Sequence, residues 1–229
     1  MKKQDLIFIL CIVLALLPFF ISDAVFEAYE QFNKAHGMIT SFIKFGVLAT
    51  LGEVIGLRIS QGVYNKKGFG ILPRAIVWGC LGLAIKMAFM VFIIGTPQFL
   101  QYMGLEGAAA AMKGDLTITK VLVAFSISVA LNTIFAPIMM TFHKITDAHI
   151  TKNGGTLSGF FTPIKFAEMF KTINWDIQWG FVFKKTIPFF WFPAHTITFL
   201  LPADYQVLFA ALLGVVLGIL LAFASLKKA

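Results

Sequence analysis

Long apolar runs dominate the pattern of hydrophobic and polar positions along this chain. Six of them cover residues 6–21, 38–59, 75–94, 118–142, 186–201 and 205–226. A helix needs about 20 apolar residues to cross a hydrocarbon core about 30 Å thick, and each run reaches or approaches that length. The strands of a membrane barrel would instead alternate apolar and polar positions. The pattern predicts one all-α domain over residues 1–229, a polytopic transmembrane bundle of about six spans.

The connection before the fifth run has a different, amphipathic pattern. Its apolar positions between Phe161 and Phe170 are interleaved with Lys165, Glu168 and Lys171. This spacing predicts an interfacial helix over residues 160–171, whose apolar face enters the headgroup region of the bilayer.

The positive charge of the chain lies mainly on one side of the predicted bundle. The net charge is +8, and fourteen of the 19 Lys and Arg residues fall in segments on the side of the amino terminus. Because cytoplasmic segments of membrane proteins are enriched in Lys and Arg, this asymmetry predicts that both termini are inside. The predicted inside-face basic residues include Arg58, Arg74, Lys184 and Lys185. No basic run is interleaved with exposed aromatics, so we expect lipid rather than nucleic acid as the partner.

The first run also has features of a secretory signal. Lys2 and Lys3 precede the apolar stretch, and Ser22-Asp23-Ala24 offers a small-residue cleavage site. Cleavage would leave five spans and place the new amino terminus outside. We favour a retained first helix, and the cleaved form stays open at this point.

Several polar residues interrupt the apolar runs, and we call Lys44, Glu53, Lys86, Asn132 and His195 the polar seam. Ionisable groups inside a membrane are costly, so they face a partner or a water-filled path. Glu53 and Lys86 are predicted to differ in height by about 10 Å at 1.5 Å per residue, and Arg74 is an alternative partner for Glu53. Ion pairing and lining of an aqueous path are equally supported readings. Because Lys outnumbers acid in the polar seam, it should prefer anionic or neutral solutes.

Glycine pairs at a spacing of four residues occur in two of the runs. Gly52 and Gly56 form one pair, and Gly214 and Gly218 form the other. Such pairs let a second helix approach closely. The favoured interpretation is packing within one bundle, and the alternative is a homo-oligomer formed through the last helix.

The sequence contains no arrangement of residues that is typical of an enzyme or a metal site. Cys11 and Cys80 lie inside apolar runs, where we expect small packing residues. His143 and His149 flank the end of the fourth run without a third ligand. No nucleophile elbow, phosphate-binding loop or HExxH motif is present, so we expect no enzymatic activity, no metal and no cofactor.

Several short motifs occur in an order that resembles one known family. They are Gly52-Glu53, the basic connection with Lys66, Lys67, Pro73 and Arg74, then Lys120, Phe135-Ala136-Pro137, Asn174-Trp175, Trp191-Phe192-Pro193, Thr198-Phe199 and Leu201-Pro202. Together they resemble the Mpv-seventeen and peroxisomal membrane protein family (Mpv-type family), small proteins of peroxisomal and mitochondrial inner membranes. Leu131-Asn132 stand where that family has Asp-Gln. The resemblance implies a pore-type role for small metabolites or ions, in a distant member of the family that a prokaryotic source would fit.

The leading hypothesis is a channel that passes small solutes or ions along the polar seam. A secondary transporter of a small solute is the first alternative, and a non-conducting membrane scaffold is the second. The charge asymmetry favours a bacterial inner membrane. The resemblance favours a mitochondrial inner or peroxisomal membrane if the source is eukaryotic.

Overall fold

A computed structural model describes residues 2–226, with the backbone alone at residues 224 and 225. The fold is 83% helical and has no strand within that range. The all-α prediction is therefore confirmed. Contacts divide the chain into two compact units, residues 1–40 and 41–229.

The amino-terminal unit contains three helices without a buried residue in any of them. They are α1 (Lys3–Leu16), α2 (Pro18–Ile21) and α3 (Asp23–Ala35). Leu17 separates α1 from α2 and keeps a right-handed helical backbone, so the two form a nearly continuous helix interrupted at Pro18. Proline is tolerated there because the first turn of a helix leaves its N–H groups unpaired. Ser22 caps α3 by accepting a hydrogen bond from the Val25 N–H.

The next helices are longer than the apolar runs that predicted them. They are α4 (Gly37–Gln61), α5 (Ile71–Tyr102) and α7 (Ile118–Lys152); the short α6 (Ala108–Ala111), which no apolar run predicted, lies between the last two. Thr117 begins α7 by accepting a hydrogen bond from the Lys120 N–H at 3.1 Å. The fourth predicted span ended at residue 142, yet α7 continues for ten more residues. These include the polar residues His143 and Asp147.

The predicted interfacial helix over residues 160–171 is wrong in its middle. The structure has α8 (Leu157–Phe160) and α9 (Phe166–Lys171), with no helix between them. Pro163 explains the break, because proline lacks an N–H and disfavours helical backbone at the residue before it. A further short helix, α10 (Trp175–Ile177), follows and is capped by Asn174.

The fifth predicted run lies in a continuous helical segment that changes type. After α10 the chain forms a π-helix over Gln178–Trp191, followed by α11 (Phe192–Leu200) and α12 (Ala203–Leu226). A π-helix of this length is unusual, since most are single turns within α-helices. Pro188 lies inside the π-helix, and Pro193 lies in the first turn of α11.

Four helices in the described part of the chain are long and apolar enough to cross a membrane. They are α4, α5, α7 and α12. The predicted runs 6–21 and 186–201 fall outside this group because each is divided between shorter helical segments. The membrane-helix prediction is thus confirmed for four of the six runs.

Glycines bring α4 into close contact with two other helices. A Cβ on Gly52 would lie 2.9 Å from the Val215 Cα, and one on Gly218 would lie 3.0 Å from the Gly52 carbonyl oxygen. On another side of α4, the Ser41 hydroxyl donates to the Gly82 carbonyl at 2.7 Å. The two GxxxG pairs therefore pack against each other within one chain, and α4 occupies the face of α12 proposed above for self-association.

Candidate functional site

A cavity of about 470 Å³ lies between the helices of the second unit. Its walls come from α4, α5, α7, the π-helix, α11 and α12. On α7 the lining runs from Leu131 to Asp147, about 24 Å along the helix axis at 1.5 Å per residue. Most of the lining is apolar, and the polar groups cluster at its two ends.

The first end, which we call the mouth, is organised around Arg74. Its Nη1 lies 2.6 Å from Oε2 of Glu53 and 2.5 Å from Oδ1 of Asp147. Its Nε donates to the Phe69 carbonyl at 2.8 Å, and the guanidinium lies 4.6 Å from the Phe69 ring centroid. Arg74 thus connects α4, α5 and α7 with most of its surface buried.

Two aromatic residues complete the surroundings of Glu53. The Trp78 indole N–H donates to Glu53 Oε1 at 2.8 Å, and His143 Nε2 lies 3.1 Å from the same oxygen. The Trp78 and His143 rings are in contact, tilted by 40° with centroids 4.3 Å apart. Every polar atom of the Glu53 carboxylate therefore has a partner, which makes its position at the cavity wall well defined.

The mouth also contains side chains of the types that bind divalent cations. Ligand atoms of Glu53, His143 and Asp147 lie within 4.8 Å of one another. Carboxylate oxygens and imidazole nitrogen suit several divalent metals. The guanidinium of Arg74, however, already contacts both carboxylates, so the position of the cation is taken by a side chain. The arrangement is that of an ion-pair network.

The other end of the cavity, which we call the deep end, is polar without Asp, Glu, Lys or Arg among its described lining residues. Asn132 and His195 are hydrogen-bonded, with the Asn132 amide nitrogen 2.9 Å from His195 Nδ1. The same amide nitrogen lies 2.8 Å from the Ser128 carbonyl oxygen. The Ser128 hydroxyl in turn donates to the Phe192 carbonyl at 2.8 Å. These contacts connect α7 to α11 at the point where the π-helix ends.

Two residues that line the cavity each contain a buried donor atom that has no hydrogen-bond partner among the described residues. These atoms are Nε2 of Gln178 and Nε1 of Trp191, in side chains of residues that are 3% and 9% exposed. Leaving a buried donor unsatisfied costs about 1–3 kcal/mol, so native structures rarely do so without reason. Gln178 belongs to the mouth, beside Arg74, and Trp191 to the deep end, where its ring lies 4.9 Å from that of His195.

Beyond the deep end the bundle is closed by apolar packing, which we call the seal. Val123, Ala124 and Ile127 of α7 are completely buried there. Phe89 packs edge-on against Phe199, with ring centroids 5.0 Å apart. The cavity is therefore open towards the mouth and closed at the seal.

A second, wider cavity of about 760 Å³ adjoins the mouth. Arg74, Lys144, Asp147 and Gln178 line both cavities, so the second forms an antechamber to the first. On its rim Lys152 of α7 pairs with Glu168 of α9. The hydrogen bond from Lys152 holds the pKa of the Glu168 carboxyl below its ordinary value.

The structure brings together only part of the polar seam. Glu53, Asn132 and His195 line the cavity, whereas Lys44 and Lys86 are not among its described lining residues. Lys44 is buried on another face of α4, where the charges of Lys86 and Asp204 act on it.

The predicted basic residues have different environments. Arg74 is the centre of the mouth, and Arg58 contacts the Gly62 carbonyl oxygen and the Tyr64 ring. Lys184 lies 6.0 Å from the Trp179 ring centroid, and Lys185 is exposed.

Sequence reasoning set His143 aside as a histidine without further ligands, and it did not predict Asp147, Trp78, Gln178 or Trp191 as site residues. A signal for the first two exists: positions 132, 136, 139, 140, 143 and 147 of α7 follow the period of about 3.6 residues and so share one face. All six line the cavity. The sequence prediction did not include this face, because the fourth apolar run ends at residue 142 and the face continues to residue 147.

The chain is of the integral membrane class, because four of its helices are long and apolar enough to span a bilayer. Comparisons with protein-family models, curated proteins and solved structures find no match. The resemblance to the Mpv-type family therefore stays a prediction.

Proposed function

We propose that the protein is an integral membrane channel that passes small solutes along the cavity between the mouth and the deep end. One observation supports this most: the cavity penetrates far into the membrane part of the bundle. From the predicted end of the fourth span at residue 142 to Leu131 is about 17 Å of helix, a little over half of a hydrocarbon core of about 30 Å. Polar side chains at both of its ends give a solute hydrogen-bonding positions within this path.

The charge balance of the lining supports passage of uncharged solutes. Glu53 and Asp147 are offset by Arg74 and Lys144, so these four groups sum to zero. The anion preference expected from Lys44 and Lys86 loses its basis, because neither residue is part of the described lining.

The closed seal favours a second candidate, a carrier that opens to each side in turn. A pore that conducts continuously needs an open path, whereas alternating access keeps one side closed around a central site. In this reading the structure corresponds to the state open at the mouth.

We further propose six membrane crossings with both termini inside. The segment from α1 through α2 covers residues 3–21, about 28 Å, and the segment from α10 through α11 covers residues 175–200. Each is a nearly or fully continuous helical stretch of adequate length. The charge asymmetry would then place the mouth inside, in a bacterial inner membrane, or in an organelle membrane if the Mpv-type resemblance holds.

Purified protein in liposomes tests the proposal. Stopped-flow swelling with glycerol and urea, alongside planar-bilayer currents under a salt gradient, should give solute entry well above that of empty liposomes, with little current. Rates that rise linearly with solute concentration indicate a channel, and rates that saturate indicate the carrier. Swelling equal to that of empty liposomes with both solutes would contradict both.

A matched pair of variants on α7 connects the flux to the cavity. N132L removes the polar group at the deep end and should lower swelling rates several-fold. T133V changes the next residue, which is exposed on another side of α7, and should leave the rates unchanged. Equal rates for the two variants would show that solutes do not pass the deep end.

A further inference from the structure

We propose that the preferred solute is an uncharged molecule with an apolar body and an oxygen acceptor, which accepts a hydrogen bond first from Gln178 at the mouth and then, after moving inward, from the Trp191 indole at the deep end. This inference rests on the proposed function and names the class of its substrate.

The first step of the argument is the pair of unsatisfied donors. Trp191 Nε1 and Gln178 Nε2 are buried without a hydrogen-bond partner in the described part of the chain, and both residues line the cavity. An indole nitrogen can only donate, so its partner must be an acceptor. Two residues on different helices hold Trp191 in place: the Ser128 hydroxyl lies 3.4 Å from its carbonyl oxygen, and the His195 ring lies against its own. A carbonyl, hydroxyl or ether oxygen would satisfy this donor.

The second step concerns charge. The Glu53 and Asp147 carboxylates are both in contact with Arg74, so the mouth offers no free acidic partner to a cation. The deep end has no Asp, Glu, Lys or Arg among its described lining residues. An ion that reached Trp191 would lose its hydration without gaining a counter-charge, which is unfavourable in an apolar surrounding. A neutral solute does not meet this penalty.

The third step concerns the walls between the two donors. Ile85, Phe89 and Leu131 line the cavity near the deep end, and Met139 and Leu217 line it nearer the mouth. Ligand sites commonly combine such apolar walls with a few polar groups that fix orientation. The combination favours an aliphatic or aromatic body over a fully hydroxylated solute.

Three probes with one six-carbon body separate the possibilities: hexanamide, hexanoate and hexylammonium. Titration calorimetry on the protein in nanodiscs, with empty nanodiscs subtracted, should show the tightest binding for hexanamide. In ¹⁵N-indole NMR spectra, hexanamide should shift the Trp191 Nε1–H resonance, which is identified by its loss in W191F.

Conservative variants test the role of the donor. W191F keeps an aromatic ring but removes the N–H, and should raise the Kd of hexanamide by about three- to tenfold, the size expected for one hydrogen bond. W179F is the matched control, because Trp179 is 57% exposed and is not among the described residues lining the cavity.

The outcomes distinguish this inference from the proposed function. Equal hexanamide affinity in W191F and wild type, or tighter binding of hexanoate or hexylammonium, would overturn the inference even if liposomes swell. Trp191-dependent binding of hexanamide in a protein that produces no swelling would support the ligand class while contradicting the channel and the carrier.

Discussion

The mouth and the seal share α5 and α7 but are built by opposite means. At the mouth, three helices are joined by Arg74 and the two carboxylates that it contacts. At the seal, α5, α7 and α11 meet through apolar side chains, several with no exposed surface. Charged and hydrogen-bonded pairs need a defined geometry, but they can form beside an empty space. Apolar side chains stabilise the fold only where they pack closely and leave no space between them. A one-sided cavity follows from this difference.

Removing the centre of the mouth should have the largest effect on stability. R74M leaves Glu53 and Asp147 partly buried without their cation, and breaking such a pair costs about 3–5 kcal/mol. Unfolding in mixed detergent micelles measures the change. K67M, in the exposed loop before α5, is the control and should have little effect.

The triple variant E53Q/R74M/D147N sharpens this test. It removes all three formal charges together, and it should recover much of the stability lost in R74M. If it is less stable than R74M by a further large step, the carboxylates have roles other than pairing with Arg74.

At the seal, truncation should be nearly as costly. I127A creates a cavity in a fully buried region, and we expect a loss of about 2–5 kcal/mol. L217A removes a side chain that already lines the cavity, so its loss should lie below that range. The same unfolding measurement compares them, and equal losses would argue that the cavity is filled by packing in the native protein.

The contact between α4 and α12 should respond to a single methyl group. G52A places a Cβ 2.9 Å from the Val215 Cα, and overpacking against backbone costs about 1–3 kcal/mol. G95A is the control, because a Cβ there meets nothing within 4 Å, and alanine is the better helix former. A G52A variant as stable as wild type would mean that the helices separate readily.

The smallest effect is expected at the rim of the antechamber. Because the pKa of Glu168 is lowered in the folded protein, its pairing with Lys152 favours the folded rim above the ordinary carboxyl range and is lost as pH falls through the lowered pKa. Hydrogen exchange of α9 should therefore be slightly faster in E168Q than in wild type at pH 7. The difference should disappear in acid, and a difference independent of pH would exclude the carboxylate as its cause.

The apolar runs predicted the major helices well, but they carried little information about which sides face inward. Lys44 and Glu53 show why: nine residues are about two and a half turns, so the two lie on opposite faces of α4. A helix that is apolar on nearly all sides has no amphipathic direction to reveal this. The pairing of Glu53 with Arg74 was among the predicted alternatives.

The apolar runs could not predict the cavity residues that the end of α7 and the π-helix contribute. His143 and Asp147 lie beyond the apolar run, and the π-helix departs from the period on which helical patterns depend. Trp191 and Gln178 are thirteen residues apart in that π-helix. Their common position at the cavity follows from three-dimensional packing alone.

The glycine contact between α4 and α12 limits which parts of the protein can move. Where Gly52 meets Gly214 and Gly218, backbone touches backbone, and no layer of side chains is available to slide or rearrange. These two helices are thus expected to travel as one rigid body during any transport cycle. In the proposed carrier, we therefore expect the strain of opening and closing to fall on the π-helix and α11, with this proline-containing segment acting as the hinge.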